Sequence, residues 1–201
     1  MAIVINGSTN VIGGVAVGGL PDGIVDTDML AANAVTSAKS SGLATTDGIT
    51  MYDVWQYTSD VQGDQQPLSS NWSRAGNFFD KIGTGMSESS GIFTFPTTGK
   101  YHIWYKINFY TNGNNSTYCG AYFKVTHNNS SYTTRSHGYT NFTDISGYHY
   151  GTASGNLPVD VTDTTNIKIR LEAEMQNNSV YIMGDTNSIA TGLTFIRLGG
   201  T

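Results

Sequence analysis

The sequence predicts an all-β protein built as a β-sandwich of the jelly-roll type. From Ile49 onward, apolar and polar residues alternate with a period of two, which is the pattern of half-buried strands. Clusters rich in Gly, Asn and Ser interrupt this alternation and are typical of turns. About ten short strands without a convincing helix among them indicate a sandwich of jelly-roll type.

The clearest strand pattern lies in residues 91–110. Beyond Gly99, aromatic and branched side chains alternate with more polar ones over ten residues, Tyr101 to Tyr110. Pro96 fixes φ for a turn and cannot continue a central strand, while Gly99 tolerates a positive φ. We expect two aromatic strands joined as a hairpin through residues 96–99.

The same alternation predicts the other strands. They are residues 51–58, 78–82, 118–127, 132–141, 144–153, 157–161, 167–175, 180–183 and 190–198. Residues 62–74 are polar and contain Gly, Pro and Ser, so a long loop is expected there.

Residues 1–48 differ from the rest and predict an extended N-terminal arm with a short helix, joined to a sandwich domain over 49–201. The arm is rich in Gly, Val and Ala, lacks Trp and Tyr, and cannot build a core of its own. A turn is predicted at 20–23 and a short capped helix over about 28–38, and the arm is expected to dock to a larger particle. The alternative is an unstructured leader. The candidate docking residues are Leu20, Pro21, Asp22, Met29 and Leu30.

The composition indicates a neutral, hydrogen-bonding surface. Charged residues make up only 12% of the chain, whose net charge is -5 and whose pI is about 5.1. Nothing in this balance resembles the basic footprint of a nucleic-acid or anionic-lipid binder. Such surfaces are common in extracellular β-proteins and viral fibres.

Cysteine usage and the opening residues lead to an expectation about location. Cys119 is the single cysteine, so no intrachain disulfide is possible, and we expect a buried thiol. The first residues lack a secretory signal pattern, and no apolar run is long enough to insert in a membrane. A protein made in a host cytoplasm and released by lysis, as virion proteins are, would combine these properties.

No catalytic, cofactor or metal site is predicted. The four histidines (His102, His127, His137 and His149) form no metal-binding array. The alternative is a three-histidine metal site made by three copies of His137 or His149 around an axis. Asp160 and Asp163 come nearest to a calcium pattern, and a turn stabilised by its own Asp explains them better. Because no nucleophile motif or carboxylate pair can be argued from spacing, we do not expect an enzyme.

A tyrosine-rich stretch is the candidate recognition surface. Flat aromatic rings among Asn and Ser residues suit a carbohydrate or protein contact. The alternative is that every second tyrosine packs inside the sandwich or in a trimer interface. The candidate residues are Tyr132, Tyr139, Phe142, Tyr148 and Tyr150.

Four segments resemble the C1q/TNF-type jelly roll. They are residues 79–82, 91–110, 156–172 and 192–198, in the order that the family shows, and the resemblance covers about residues 75–198. It implies a compact homotrimer. Thr194 and Ile196 depart from the family pattern, which usually has more Phe in the closing strand.

Residues 20–39 resemble linker segments of marine phage tail-fibre and structural proteins. Together the two resemblances imply a trimeric virion structural protein of a tailed phage. It would be a capsid decoration protein, a head fibre or a short tail fibre, bound to other capsid or tail proteins through its arm. The alternative is a lectin-like module that binds host cell-surface glycans.

Overall fold

The computed structural model describes residues 4–6, 11–13, 49–76, 79–143 and 146–201. The chain divides into two units, Met1–Thr46 and Asp47–Thr201. In the first unit, β1 (Val4–Asn6) pairs antiparallel with β2 (Val11–Gly13). The predicted helix and the docking residues Leu20, Pro21, Asp22, Met29 and Leu30 lie outside the described residues.

The second unit consists of two antiparallel sheets. Its strands are β3 (Tyr52–Tyr57), β4 (Val61–Gln62), β5 (Trp72–Arg74), β6 (Ser87–Ser89), β7 (Ile92–Thr94), β8 (Gly99–Asn112), β9 (Ser116–Thr126), β10 (Tyr132–Phe142), β11 (Tyr148–Val161), β12 (Lys168–Met175), β13 (Tyr181–Ile182) and β14 (Gly192–Gly199). The small sheet has the order β10-β9-β12-β7-β6. In the large sheet, β8 pairs with β11 along one edge and with β14 and β13 along the other, and β3, β5 and β4 complete it. The predicted all-β jelly roll is confirmed.

The core lies between the inner faces of the two sheets, as the period-two pattern predicts. In β8, Tyr101, Ile103 and Tyr105 are buried and the residues between them point outward. Tyr105 stacks on Phe123 of the small sheet with ring centroids 5.4 Å apart, and Phe93 lies 5.6 Å from Phe195. Contacts of this kind across the sheets bury the apolar area that stabilises a sandwich.

Residues 91–110 do not form the predicted hairpin. β7 belongs to the small sheet and β8 to the large sheet, so residues 95–98 cross from one sheet to the other. The Tyr101 hydroxyl donates a hydrogen bond of 2.8 Å to the Thr97 carbonyl, which fixes the crossing. The prediction failed because both strands point aromatic side chains into one core, and alternation alone does not distinguish paired strands from facing ones.

β11 is one strand of 14 residues where the sequence predicted two, 144–153 and 157–161. Pairing with β8 runs through the expected break, with Ser154 opposite Lys106 and Asn156 opposite Trp104. Gly155 suits this position because a Cβ there would lie 2.5 Å from the Tyr105 hydroxyl. A glycine inside a strand often marks such a close approach.

Two further expectations are corrected near the edge of the large sheet. Within the described part of 78–82, only an isolated bridge joins Ile82 to Tyr52. The expected loop at 62–74 ends in β5, and Gln65 within it bridges Ala173 of the small sheet.

Two carboxylates are buried in this framework. Asp53, 1% exposed, accepts hydrogen bonds from Trp55 Nε1 at 3.0 Å, Arg74 Nε at 3.1 Å and the Met86 amide at 2.7 Å. Glu172, on β12, lies 2.5 Å from Lys124 Nζ and 2.6 Å from Arg170 Nη2. Both carboxylates therefore have structural partners, which a buried charge requires.

Candidate functional site

The structure divides the predicted recognition surface between two sheets. Tyr132 and Tyr139 lie on β10 and point away from the core of the small sheet, whereas Tyr148 and Tyr150 lie on the outer side of the large sheet. Phe142, at 3% exposure, belongs to the core and has no accessible ring. The tyrosines separate because β10 and β11, although consecutive in the chain, are edge strands of different sheets.

Tyr139 belongs to an exposed aromatic cluster on the small sheet, which we call the outer patch: Tyr118, Tyr122, His137 and Tyr139. Tyr139 is 54% exposed, and its ring centroid lies 5.8 Å from that of Tyr122 at an interplanar angle of 85°. The His137 ring lies 5.2 Å from Tyr139 and 6.3 Å from Tyr122. The register of β9 and β10 places His137 opposite Tyr122 and thereby builds the patch.

Gly120 forms the floor of the outer patch, opposite Tyr139. A Cβ at this position would lie 2.7 Å from the Tyr122 ring and 2.9 Å from the Tyr139 ring, so the two rings meet over a residue without a side chain. Beside them is a cavity of about 240 Å³, lined by Thr117, Tyr118, Tyr139, Thr140 and Asn141. Burial raises the pKa of Tyr122, and its hydrogen bond with Tyr139 raises that pKa further.

Tyr132 has a structural partner instead. The Arg170 guanidinium lies 4.2 Å from the centre of the Tyr132 ring, a cation–π contact, while the same guanidinium pairs with buried Glu172. Tyr132 therefore packs against a side chain of its own sheet, and Phe142 packs in the core.

Tyr148 and Tyr150 belong to a second aromatic group on the large sheet, the tyrosine row: Tyr110, Tyr148, Tyr150 and Tyr181. Tyr148 and Tyr150 are 64% and 66% exposed, and their rings lie 6.4 and 6.0 Å from that of Tyr110. Tyr110 stacks on Tyr181 at 4.9 Å with an interplanar angle of 12°.

The Tyr110 hydroxyl donates a hydrogen bond of 2.8 Å to the Asp60 carboxylate. Burial, this hydrogen bond and the Asp60 charge raise the pKa of Tyr110 to about 12.

Trp104 extends the aromatic surface of the large sheet along β8. It is 42% exposed and stacks on His102, with ring centroids 4.2 Å apart. The same His102 interacts through Nε2 with Asn156 Oδ1 at 3.2 Å. Trp104 and Tyr110 occupy outward positions of β8. In the sequence, these two aromatic residues stand at the alternate positions where polar residues are expected. This signal for an aromatic surface was not used in predicting the recognition residues.

The histidines and aspartates considered as metal ligands have other surroundings. Within the described ranges, no group of three His, Cys, Asp or Glu side chains has the arrangement to hold a metal ion. Asp163 accepts hydrogen bonds from the Thr165 amide at 2.7 Å and from Asn166 Nδ2 at 2.7 Å, which is the self-supporting turn that the sequence predicts. The hydrogen bond from the Thr165 backbone is the main cause that lowers the pKa of Asp163.

Cys119 is buried, as expected, and burial raises the pKa of its thiol. Within the part of the chain that the structure describes, no helix is long and apolar enough to cross a membrane.

The sequence matches no known protein-family profile and no curated protein. The fold, however, is similar to solved TNF-type structures. The solved chain of murine APRIL at pH 8.5 aligns with a TM-score of 0.53 and 11% identity, over 74% of this chain and 98% of that solved chain. The solved chain of Eiger TNF from S. frugiperda aligns with a TM-score of 0.55 and 8% identity, over 76% of this chain and 95% of that solved chain. The sandwich of this chain therefore has the TNF-like jelly-roll fold.

Proposed function

We propose that this protein is a homotrimeric structural protein of a tailed-phage virion, displayed on the particle as a capsid decoration protein, a head fibre or a short tail fibre. Residues 1–48 would dock to another capsid or tail protein, and the sandwich would project outward. The role is mechanical and adhesive rather than catalytic.

The observation that carries the assembly is the aromatic outer face of the large sheet. An uncovered sheet face is expected to be polar, yet this one exposes Trp104, Tyr148 and Tyr150. Interfaces between proteins are enriched in aromatic residues and depleted in charge at their centre. Burial of this face against further copies would remove these rings from water.

Three copies are the expected number because TNF/C1q-like folds commonly form trimers. In a closed ring of three, every copy makes the same contacts, and no interface remains open for further growth. Three identical outward surfaces would also strengthen weak contacts through avidity.

The virion location is supported by the sequence. Few charges and a single buried cysteine suit a protein that works outside a cell without disulfides. The resemblance of residues 20–39 to phage fibre linkers supports a docking role for the N-terminal arm. The buried carboxylates Asp53 and Glu172 already have structural partners, which favours a non-catalytic role.

The assembly is tested with two matched charge substitutions in the full chain. Trp104→Glu places a carboxylate on the outer face of the large sheet, and Tyr139→Glu places one on the small sheet. Native mass measurement should give a trimer for the wild type and for Tyr139→Glu, and a monomer with an intact fold for Trp104→Glu. A trimer that survives Trp104→Glu but not Tyr139→Glu would assign the interface to the other sheet.

The location is tested independently by mass spectrometry of purified particles of a phage that encodes the chain. We expect the protein to remain with the particle through a density gradient. Its recovery only in the soluble lysate would contradict the virion role without affecting the trimer.

A further inference from the structure

We propose that the outer patch binds an uncharged pyranose ring of a cell-surface polysaccharide. This proposal rests on the geometry of the small sheet and does not depend on trimer formation. It places the site around Tyr118, Tyr122, His137 and Tyr139, and excludes Tyr132, Phe142, Tyr148 and Tyr150.

The cavity has the size of a site for a single ring. Its volume of about 240 Å³ lies below the roughly 300–1,000 Å³ of pockets for drug-sized ligands. Two aromatic side chains, Tyr118 and Tyr139, line it together with two threonines and Asn141. A pyranose presents the matching combination, an apolar face of C–H groups and a rim of hydroxyls.

The aromatic rings are held in place by one another. Tyr139 meets Tyr122 edge to face and has His137 on a neighbouring side, so both rings have packed neighbours while Tyr139 remains largely exposed. Gly120 permits this arrangement because any larger residue would collide with both tyrosine rings. Rigid aromatic side chains lose little conformational entropy when they bind a ligand.

The charges around the patch select a neutral ligand. Among the described residues, none of the side chains that line the cavity is charged, and Glu174 lies opposite Gly120 in the register of β12 and β9. The Glu174 carboxylate gives the patch a negative potential. The same charge is one of the causes that raise the pKa of Tyr122. The nearby cations Lys124 and Arg170 are paired with Glu172. An acidic sugar would therefore meet repulsion without compensation from these two cations.

The outer patch and the proposed trimer face lie on opposite sides of the sandwich. Each copy in a trimer would therefore keep its patch accessible. A weak single site would gain strength from three copies acting on one polysaccharide.

The test is saturation-transfer NMR on the full chain with monosaccharide probes, which bind one site at a time and are insensitive to avidity. The neutral probes are methyl β-galactopyranoside, methyl β-glucopyranoside and N-acetylglucosamine, and N-acetylneuraminic acid is the charged comparison. We expect transfer to at least one neutral probe, none to the charged probe, and binding weakened roughly threefold to tenfold or more in Tyr139→Ala.

Tyr148→Ala is the matched control, since it removes an exposed tyrosine from the other sheet and should leave binding unchanged. Gly120→Ala provides a second variant that disturbs the rings without removing them, and it should also weaken binding. Retention of the fold is verified by the unfolding transition of each variant. Absence of transfer to every neutral probe, preference for the acidic sugar, or equal binding by wild type and Tyr139→Ala would overturn the proposal.

Discussion

Among individual residues, Asp53 makes the connections on which one edge of the sandwich depends. Its buried carboxylate joins β3 to Arg74 of β5 and to the backbone at Met86, and Arg74 in turn donates to the Met86 carbonyl. Asp53→Asn keeps the shape but turns one acceptor into a donor. We expect the free energy of unfolding to fall by about 2 kcal/mol in guanidinium denaturation.

Asp80→Asn is the control for this substitution. Asp80 is exposed and accepts a hydrogen bond from the adjacent Lys81 amide, so its replacement should change stability by less than about 0.5 kcal/mol. Equal effects of the two substitutions would show that the Asp53 contacts are not important for stability.

Tyr110 is expected to make the stability of the fold sensitive to alkaline pH. Its pKa is raised from 10.0 to about 12 in the folded protein, whereas an unfolded tyrosine ionises near the lower value. The folded state then binds the proton more tightly, so its contribution to stability is complete below pH 10 and is lost as pH rises to about 12.

Other tyrosines with raised pKa values also contribute to the loss of stability at alkaline pH. The Tyr110→Phe variant isolates the contribution of Tyr110. We expect the unfolding free energy of Tyr110→Phe to fall less steeply between pH 10 and 12 than that of the wild type. Tyr150→Phe, which changes a ring beside Tyr110 but leaves the hydrogen bond to Asp60, should keep the wild-type slope. Identical slopes for Tyr110→Phe and the wild type would refute the role of this group.

Among the elements, the close approach of β10 and β11 depends on a small residue. A Cβ at Gly138 would lie 2.5 Å from the Ser154 carbonyl oxygen and 2.9 Å from its nitrogen, and no positive φ requires glycine there. Gly138→Ala should therefore destabilise the sandwich by about 1–3 kcal/mol through overpacking between the two edge strands.

Gly199→Ala is the corresponding control. Gly199 has no positive φ, and a Cβ at this position would meet no atom of the described residues within 4 Å. The substitution should be neutral or slightly stabilising. Thermal or guanidinium unfolding of both variants measures the difference, and equal midpoints would mean that the two edge strands can separate without loss.

The elements also show what the sequence can predict. The alternation in β8, β9, β10 and β12 identified these strands within a few residues, because one face of each is buried and the period of two follows directly. The sheet to which each strand belongs was not predictable. Phe93 and Tyr101 point into the same core from opposite sheets, and the alternation would be the same if their strands were paired. The continuity of β11 through residues 154–156 was not predictable either, because the pairing of these residues with β8 is not visible in the sequence.

For the whole molecule, sheet membership also decides where the predicted recognition residues lie, and the sequence pattern does not show it. Tyr139 and Tyr148 lie nine residues apart on consecutive strands, and only the three-dimensional arrangement separates them onto opposite faces. The sequence predicts an aromatic recognition surface, and the resemblance to the C1q/TNF-type jelly roll implies self-association. The arrangement of the sheets is the basis on which we propose different roles for them, with assembly through the large sheet and ligand binding on the small sheet.

This division predicts that assembly and sugar binding respond to different substitutions. Trp104→Glu should abolish the trimer and leave monosaccharide binding intact, because Trp104 lies on the sheet opposite the outer patch. Native mass and saturation-transfer NMR on the same preparation measure both properties. Simultaneous loss of both in a folded variant would show that they share one surface.

The native mass of the full wild-type chain across a dilution series tests trimer formation most directly. We expect a trimer of three times the 21.6 kDa of one chain, persisting on dilution. A monomer at every concentration would contradict it, because the aromatic outer face of the large sheet would then remain open to water without a partner.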